Sequence, residues 1–505
     1  MTSYNYYSIF FYPCQVVCRN RLQKVFFMGI IKLVKKRNAP FLPLFGLLFV
    51  LTVLFFLKTV GQIDTDFGWH VQIGEIILSS GLPKTDPFSY TMSSFPFIDH
   101  EYLSNIVLYV LSNVPFFLPF IFSFIAVLSF LFAIIRTFNK YLFGVYFFSA
   151  AAVMPAFGVR LQVLSWLFVS VLLFLFFDDN KWKKFKYFIP PVFILWVNMH
   201  GSIGLGVFLL VLFLLFKTIQ DKKLKLTDIF VVALSIFATF INPYGWRIWA
   251  EVFSQAFDAR LRFSVMEWLP ALLVFNFATL VLFSLSFVFV FKYRKKLTIT
   301  KIGIYFFLLF LGLSSVRHIP FWVIVNLYIL PDLLRYFWKD FRKDKIFMQR
   351  LIFSSRAFSI SSFVLCFTYL IFFWTSFSYS ETDFYPQKAV MYLQKNIPDK
   401  QIFSSYEWGG YLDWKLPQKK VFIDGRMPSW KKNAPKNESN NALEDYENAI
   451  ASVSKRRILF KKYNIGVVLW PIEKKNKKNS FLSSLKKDKW KEVYKDSVSV
   501  ILKNF

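Results

Sequence analysis

QIDTDFGWH, residues 62–70, follows an apolar run that ends at Val60 and sets two carboxylates, a tryptophan and a histidine at the mouth of a membrane segment. Its meaning depends on which side of a bilayer it faces. Composition makes the bilayer necessary: of 505 residues, 56% are hydrophobic and 67 are Phe, and the mean hydropathy is +0.45. Such a chain is too apolar to be water-soluble, and the fold class is a polytopic α-helical membrane protein with a smaller α/β domain at its C-terminal end.

Apolar runs that can span a bilayer fall near 41–60, 116–135, 141–157, 163–178, 187–198, 203–217, 227–241, 271–291, 302–316, 319–334 and 357–376, an expectation of about eleven spans. The short ones read as hairpins whose connecting ends dip into protein rather than lipid. Basic clusters at residues 32–37, 136–140, 181–186, 217–225, 292–296 and 335–345 recur at every second connection, which makes those connections cytoplasmic. Loops 61–102, 158–162, 198–202, 242–270 and 317–318 hold few cations and face outside. The odd number of spans then leaves 377–505 outside too; its many lysines do not contradict this, because long translocated domains largely escape the charge bias.

Three regions follow. Residues 1–40 form a basic cytoplasmic segment, in which MGIIKLVKKRNAP from Met28 looks like a natural start. Residues 41–376 form the membrane domain, whose first run lacks a small-residue cleavage site and stays uncleaved. Residues 377–505 form an extracytoplasmic α/β domain, read from the helical PQKAVMYLQKN, the strand-like KQIFSSY, KKVFIDGR and NIGVVLW, and the closing WKEVYKDSVSVILKN. The formal charge of +31 sits in the topological clusters, so no nucleic-acid partner is expected. Cys14, Cys18 and Cys366 show no paired spacing for a disulfide framework or a thiolate metal site.

The four histidines, His70, His100, His200 and His318, all fall on the outer ends of the spans. Asp64, Asp66, Asp99, Glu101, Arg160, Gln162, Asn198, Asn242 and Arg317 stand beside them, which reads as an extracytoplasmic polar cavity. The blander reading is that polar residues at an interface are cheap and each histidine is a water-facing cap. In an extended loop Asp64 and Asp66 share a face, whereas on a helix they diverge. An extended D-x-D can hold a divalent cation, Mg or Mn, or can supply one base and one orienting acid. The acids can equally serve the N-terminus of a helix beginning near Phe67; spacing leaves all three open.

Asp86-Pro87 is a turn signal, and DHEYL, residues 99–103, starts the next helix. His100-Glu101 lacks a second histidine four positions on, so it is no zinc-protease motif. HGSIGLG from His200 has its glycines in the wrong order for a dinucleotide loop and fits close helix packing. NPYGWRIW from Asn242 fits a helix lying on the membrane, with Trp246 and Trp249 at the interface and Arg247 toward headgroups.

Taken together, DTDFGWHVQIGEIILSSGLPKTDPFSYT, DHEYL, WVNMHGS, FINPYGWRIW, SVRHIPFW and SSYEWGGYLDWKLPQKKVFIDGR resemble bacterial polytopic glycosyltransferases of the GT-C type, relatives of the dolichyl-phosphate-mannose-type and oligosaccharyltransferase-like enzymes. The resemblance runs across nearly the whole chain from about Phe41. It implies a sugar donor on polyprenyl phosphate, a glycan, lipid or protein acceptor in the cell envelope, an outside-facing site, and a catalytic aspartate in the first outer loop, where Asp64 and Asp66 match. This chain has D-x-D where many relatives have an adjacent acid pair or a single acid followed by Glu, so which acid is the base stays open. Arg160, Arg317, His318 and His200 are candidates to neutralise the lipid phosphate, and His70, Asp99, His100, Glu101 and Asn242 are further substrate-binding candidates. In the tail, Asp424 and Arg426 either touch sugars or form a buried turn with an internal salt bridge.

Two other classes compete. A transporter or flippase of lipid-linked saccharides places ionisable groups or broken helices near mid-membrane, but here the spans are nearly free of charge and the polar set is one-sided. A non-catalytic envelope-assembly protein would keep the same fold without the chemistry.

Overall fold

The computed structural model describes residues 41–505 except 257, 259–262, 264, 275, 342–343, 377–379, 473–480 and 505. The basic segment 1–40, with Met28, lies outside the described residues. The membrane part runs through α1 (Phe41–Thr59), α2 (Phe67–Ser80), α3 (Tyr102–Ser112), α4 (Phe117–Thr137), α5 (Phe143–Val153), α6 (Gln162–Phe176), α7 (Asp179–Phe185), α8 (Ile189–Met199), α9 (Ile203–Asp221), α10 (Leu226–Ala238), α11 (Arg247–Ala256), α12 (Phe277–Tyr293), α13 (Ile299–Ser314), α14 (Ile319–Asp340) and α15 (Lys345–Ser376). Each apolar run of the sequence falls on one of these helices.

Six helical stretches among the described residues are long and apolar enough to cross a membrane: Leu42–Thr59, Phe117–Thr137, Ile203–Asp221, Phe277–Lys296, Val316–Asp340 and Lys345–Phe372. A seventh, Gln162–Phe176 with Asp179–Met199, is bent by 111° at its break, where Asp178 accepts hydrogen bonds from the amides of Asn180 and Lys181 and so starts α7. The remaining runs, α5, α10 and α13, are shorter helices; they complete the bundle without meeting the length of a full crossing. The chain is thus a multi-pass membrane protein. α14 is its axis, buried continuously from Ile319 to Pro331, while α15 lies on the rim and turns Phe353, Ile360 and Phe372 outward.

The C-terminal unit is a four-stranded sheet in the order β1 (Gln401–Ser404), β2 (Ile465–Pro471), β4 (Ser499–Lys503), β3 (Lys491–Lys495). β1 and β2 are parallel, so the chain between them crosses over through α17 (Gly409–Lys415), α18 (Ala442–Ala451) and α19 (Val453–Lys462), with α16 (Gln387–Lys395) before β1. The strand-like KKVFIDGR is not a strand of this sheet. Instead, Val421 donates its amide to the Phe88 carbonyl at 2.9 Å and accepts from the Tyr90 amide at 3.1 Å, pairing with the first loop across more than three hundred residues.

That pairing ties the loop between α2 and α3 to the C-terminal unit. Trp69, Ile73, Phe88, Met92 and Phe97 share one apolar core with Phe403, Phe422, Met427 and Trp430, and each fully buried aromatic contributes about 1.5–3 kcal/mol. Thr91 donates its hydroxyl to the Phe422 carbonyl at 2.6 Å. Gly68 and Gly410 let α2 and α17 touch through their backbones, since a Cβ on Gly410 would lie 2.6 Å from the Thr65 carbonyl oxygen.

Candidate active site

Two polar groups meet where this loop, the bundle and the C-terminal unit converge. The first centres on Asp64 and Asp66. Residues 65–66 form a turn rather than an extended strand, because Asp64 Oδ1 accepts the Asp66 amide at 3.2 Å. Asp66 therefore stands at the N-cap of α2, with no side-chain capping bond, and its carboxylate stays available for other work. Asp64 Oδ2 accepts from Arg160 Nε. Arg160 Nη1 reaches Glu267 Oε2 at 3.3 Å, Glu267 Oε1 lies 3.8 Å from Arg317 Nη1, and the Arg317 guanidinium stacks on Trp268 at 4.2 Å. Gln162 donates to the Arg317 carbonyl at 2.7 Å, which fixes the segment carrying Arg317 and His318.

The second group surrounds Glu101. Its carboxylate has His200 Nε2 at 3.3 Å, His70 Nδ1 at 3.8 Å and His100 Nε2 at 4.0 Å. Asp99 Oδ1 accepts the Glu101 amide at 2.9 Å just before α3, and Asp99 Oδ2 accepts from Asn105 Nδ2 at 2.8 Å. Asn105 then accepts from His70 Nδ1 through its Oδ1 at 2.6 Å. The amide of Ser202 donates to His200 Nδ1 at 3.2 Å, so a neutral His200 carries its proton on Nε2, toward Glu101. Gly201 permits this approach, since a Cβ there would lie 2.8 Å from His100 Nε2.

Burial shifts these groups in opposite senses. It raises Asp66 to about 7, with Asp64 adding repulsion, raises Asp99 to about 6, and lifts Glu101 well above the usual carboxylate range. It lowers His70 to about 3, His100 to about 4 and His200 well below its usual value. Arg160 is held more firmly protonated by Asp64.

A stability profile follows from this inversion. Between about pH 4.5 and 6.5 the folded cluster keeps its protons on three carboxyls, while the unfolded chain carries them on three histidines; proton numbers match and these six groups give little slope. Above pH 6.5 the unfolded histidines lose their protons while Glu101 and, up to about 7, Asp66 still hold theirs, so stability falls as pH rises past about 6.5. Below about pH 4 the unfolded chain binds protons on both sets, and stability falls again. The melting temperature of the detergent-solubilised protein should form a plateau with two falling limbs, and Glu101→Gln should flatten the alkaline one, because Glu101 keeps its proton furthest above the usual carboxylate range. A melting temperature that climbs from pH 6.5 to 8 contradicts the inversion.

Of the residues picked from sequence, the structure brings together Asp64, Asp66 and Arg160 with Arg317 in one group, and His70, Asp99, His100, Glu101 and His200 in the adjoining one; His318 follows Arg317 at the same end. Asn242 organises its own turn, donating to the Thr239 and Gly245 carbonyls and accepting the Tyr244 amide, and it is Tyr244 of that turn that reaches Asp99. Trp246 just before α11 is exposed, as an interfacial helix requires. Asp424 and Arg426 are the buried alternative: Arg426 Nη2 bonds Asp424 Oδ2 at 2.5 Å and Asp86 Oδ1 at 2.8 Å, a lock between the first loop and the tail rather than a sugar contact. Sequence reading missed Glu267, Asn105 and Gly425. Glu267 carried a signal, an acid beside Trp268 in the same loop as NPYGWRIW. Gly425 abuts Asp66 so closely that a Cβ there would overlap its carboxylate.

No protein-family model matches the chain, and no curated protein matches it in sequence. Solved structures do. The chain is similar to the oligosaccharyltransferase AglB of Archaeoglobus fulgidus in complex with an inhibitory peptide and a dolichol-phosphate, at 10% identity over 87% of this chain and 70% of that one, with a TM-score of 0.58. The apo oligosaccharyltransferase of the same organism matches at 10% identity over 86% and 70%, with a TM-score of 0.57. The fold is oligosaccharyltransferase-like. It is the fold that the GT-C resemblance of the sequence implies.

Proposed function

We propose that this chain is an integral membrane glycosyltransferase, of the hexosyltransferase GT-C type, that moves a sugar from a polyprenyl-phosphate-linked donor to a cell-envelope acceptor at the outer face of the membrane. The observation that carries this reading is Asp66, a carboxyl with no cation bonded to it among the described residues and a pKa raised to about 7, close enough to Arg160 and Glu267 to feel their charge, with Arg317 on the far side of that Glu267. Asp66 is suited to take a proton near neutral pH, the two arginines to receive an anionic leaving group. Asp66 removes the acceptor proton as the acceptor attacks the anomeric carbon. The bond from that carbon to the phosphate oxygen breaks, and the polyprenyl phosphate leaves with the electron pair beside the two arginines. Asp64, held by Arg160, orients the turn before α2, and His200, His100 and Glu101 line the adjoining wall. The dolichol-phosphate and peptide held by the AglB structure support a lipid-linked donor and leave glycan, lipid and protein acceptors in play.

Charge distribution supports the outward orientation of the C-terminal unit. A flippase is disfavoured because the ionisable groups lie at the ends of the bundle, the site at one and ion pairs such as Lys186–Asp228 and Lys217–Asp179 at the other, not at its middle. Sealed vesicles bearing the full chain separate these readings. Given polyprenyl-phosphate sugar on the outer face, a transferase liberates free polyprenyl phosphate, whereas a flippase relocates the intact lipid. Relocation without cleavage of the sugar–phosphate bond would sink the proposal.

A further inference from the structure

The acidic residues of the site come from two distant loops, Asp64 and Asp66 from the first and Glu267 from the segment before α12. Three carboxylates converging in this way are the donor set a divalent cation would take. Here that set does not fit one: Asp64 Oδ2 is bonded by Arg160 Nε, and the two Glu267 oxygens face Arg160 at 3.3 Å and Arg317 at 3.8 Å. Among the described residues no group of three or more His, Cys, Asp or Glu is placed to hold a metal ion. Arg160 is also fixed in the backbone, two positions before the start of α6, where the Val163 amide donates to its carbonyl at 3.1 Å.

We propose that Arg160 is the built-in cation of this site, its guanidinium bridging Asp64 and Glu267 in place of a divalent metal. The inference rests on the active-site reading above and deepens it. A guanidinium suits the task because its fixed fork of donors spans two carboxylates from different elements, whereas a lysine is a point charge on a flexible stem. It stays protonated under all working conditions, so the two loops remain joined without metal supply. Arg160 acts here as a positioning residue: it holds Asp64 and Glu267 so that Asp66 keeps its place at the start of α2. Removing the guanidinium leaves Asp64 without its bonded cation and Glu267 with Arg317 at 3.8 Å alone, an excess of negative charge in a half-buried recess, which is the condition that recruits a metal.

Mn²⁺ binding to the full chain in detergent, read from loss of the free-ion paramagnetic resonance signal, tests this without any sugar donor, so it stands or falls separately from the transfer assay. The wild type should take up no stoichiometric Mn²⁺ in the millimolar range. R160Q should bind one ion at least about tenfold more tightly, the low end of what removing a like charge within about 4 Å is worth in a partly buried site. That ion should be lost again in the R160Q/D64N double variant, and should raise the melting temperature of R160Q while leaving the wild type unmoved. R160A is the second variant where R160Q fails to fold. A wild-type Mn²⁺ site abolished by D64N or E267Q overturns the proposal, and so does a folded Arg160 variant that binds no ion.

Discussion

Asp66→Asn should lower sugar transfer by about 10²- to 10⁴-fold, the range a positioned general base contributes, while the protein still inserts and keeps its melting temperature. The amide fits the carboxylate's space, and no hydrogen bond caps α2 through this side chain, so little structure depends on its charge. The wild type should also show the base in its pH profile. With Asp66 raised to about 7 by burial and by Asp64, the active form is the deprotonated one. Transfer per enzyme should rise about tenfold per pH unit below 7 and level off above it; the alkaline limb of stability sets in over the same interval, so initial rates at low temperature are the quantity to measure. Asp64→Asn separates the roles. It removes the charge partner of Arg160 Nε and should depress both transfer and melting temperature, because Glu267 at 3.3 Å is then left to balance alone a guanidinium in a half-buried recess. Full transfer by both single variants would remove the pair from the chemistry.

The contrast between these two aspartates was invisible in the sequence, and the reason is physical. The helices were legible because a bilayer imposes length and apolarity on every run that enters it, which is why each run from 41–60 to 357–376 lies on a helix. The histidines and acids were legible as one polar face, because charge asymmetry sorts the loops to two sides. Partners were not. Asp64 meets Arg160 across 96 positions and Arg160 meets Glu267 across 107, distances over which periodicity carries no information. The conformation of D-x-D, which spacing left open, is decided locally: the Asp64 side chain takes the Asp66 amide and makes a turn. KKVFIDGR has the composition of a strand and pairs as one, at a single position, but with Ser89 of the first loop and not with the sheet beside it. A strand pattern states that a partner exists and is silent on which one.

That misplaced strand leads to the second large effect. After Val421 pairs with the first loop, the chain turns at Asp424, which Arg426 anchors to Asp86, and Gly425 is thereby pressed against the Asp66 carboxylate. Its Cβ position is filled by Asp66 Oδ1, so Gly425→Ala must displace one of them. The backbone at Gly425 is held by the buried Asp424–Arg426–Asp86 lock, and Asp66 hangs from the first turn of α2, so the short aspartate side chain gives way. A displacement of about 1 Å at a reacting group is enough for a loss of about 10²-fold. Gly425→Ala should therefore cost about that much in transfer with a melting temperature near that of the wild type, since no apolar core contact is removed. It should also leave acceptor affinity less affected than turnover, because the proton acceptor moves while the walls stay. An equal loss from Gly46→Ala, whose Cβ would meet nothing within 4 Å, would show the assay to be reporting expression or insertion; Gly425→Ala with undiminished turnover would place the tail outside the chemistry and free Asp66 from the geometry drawn for it.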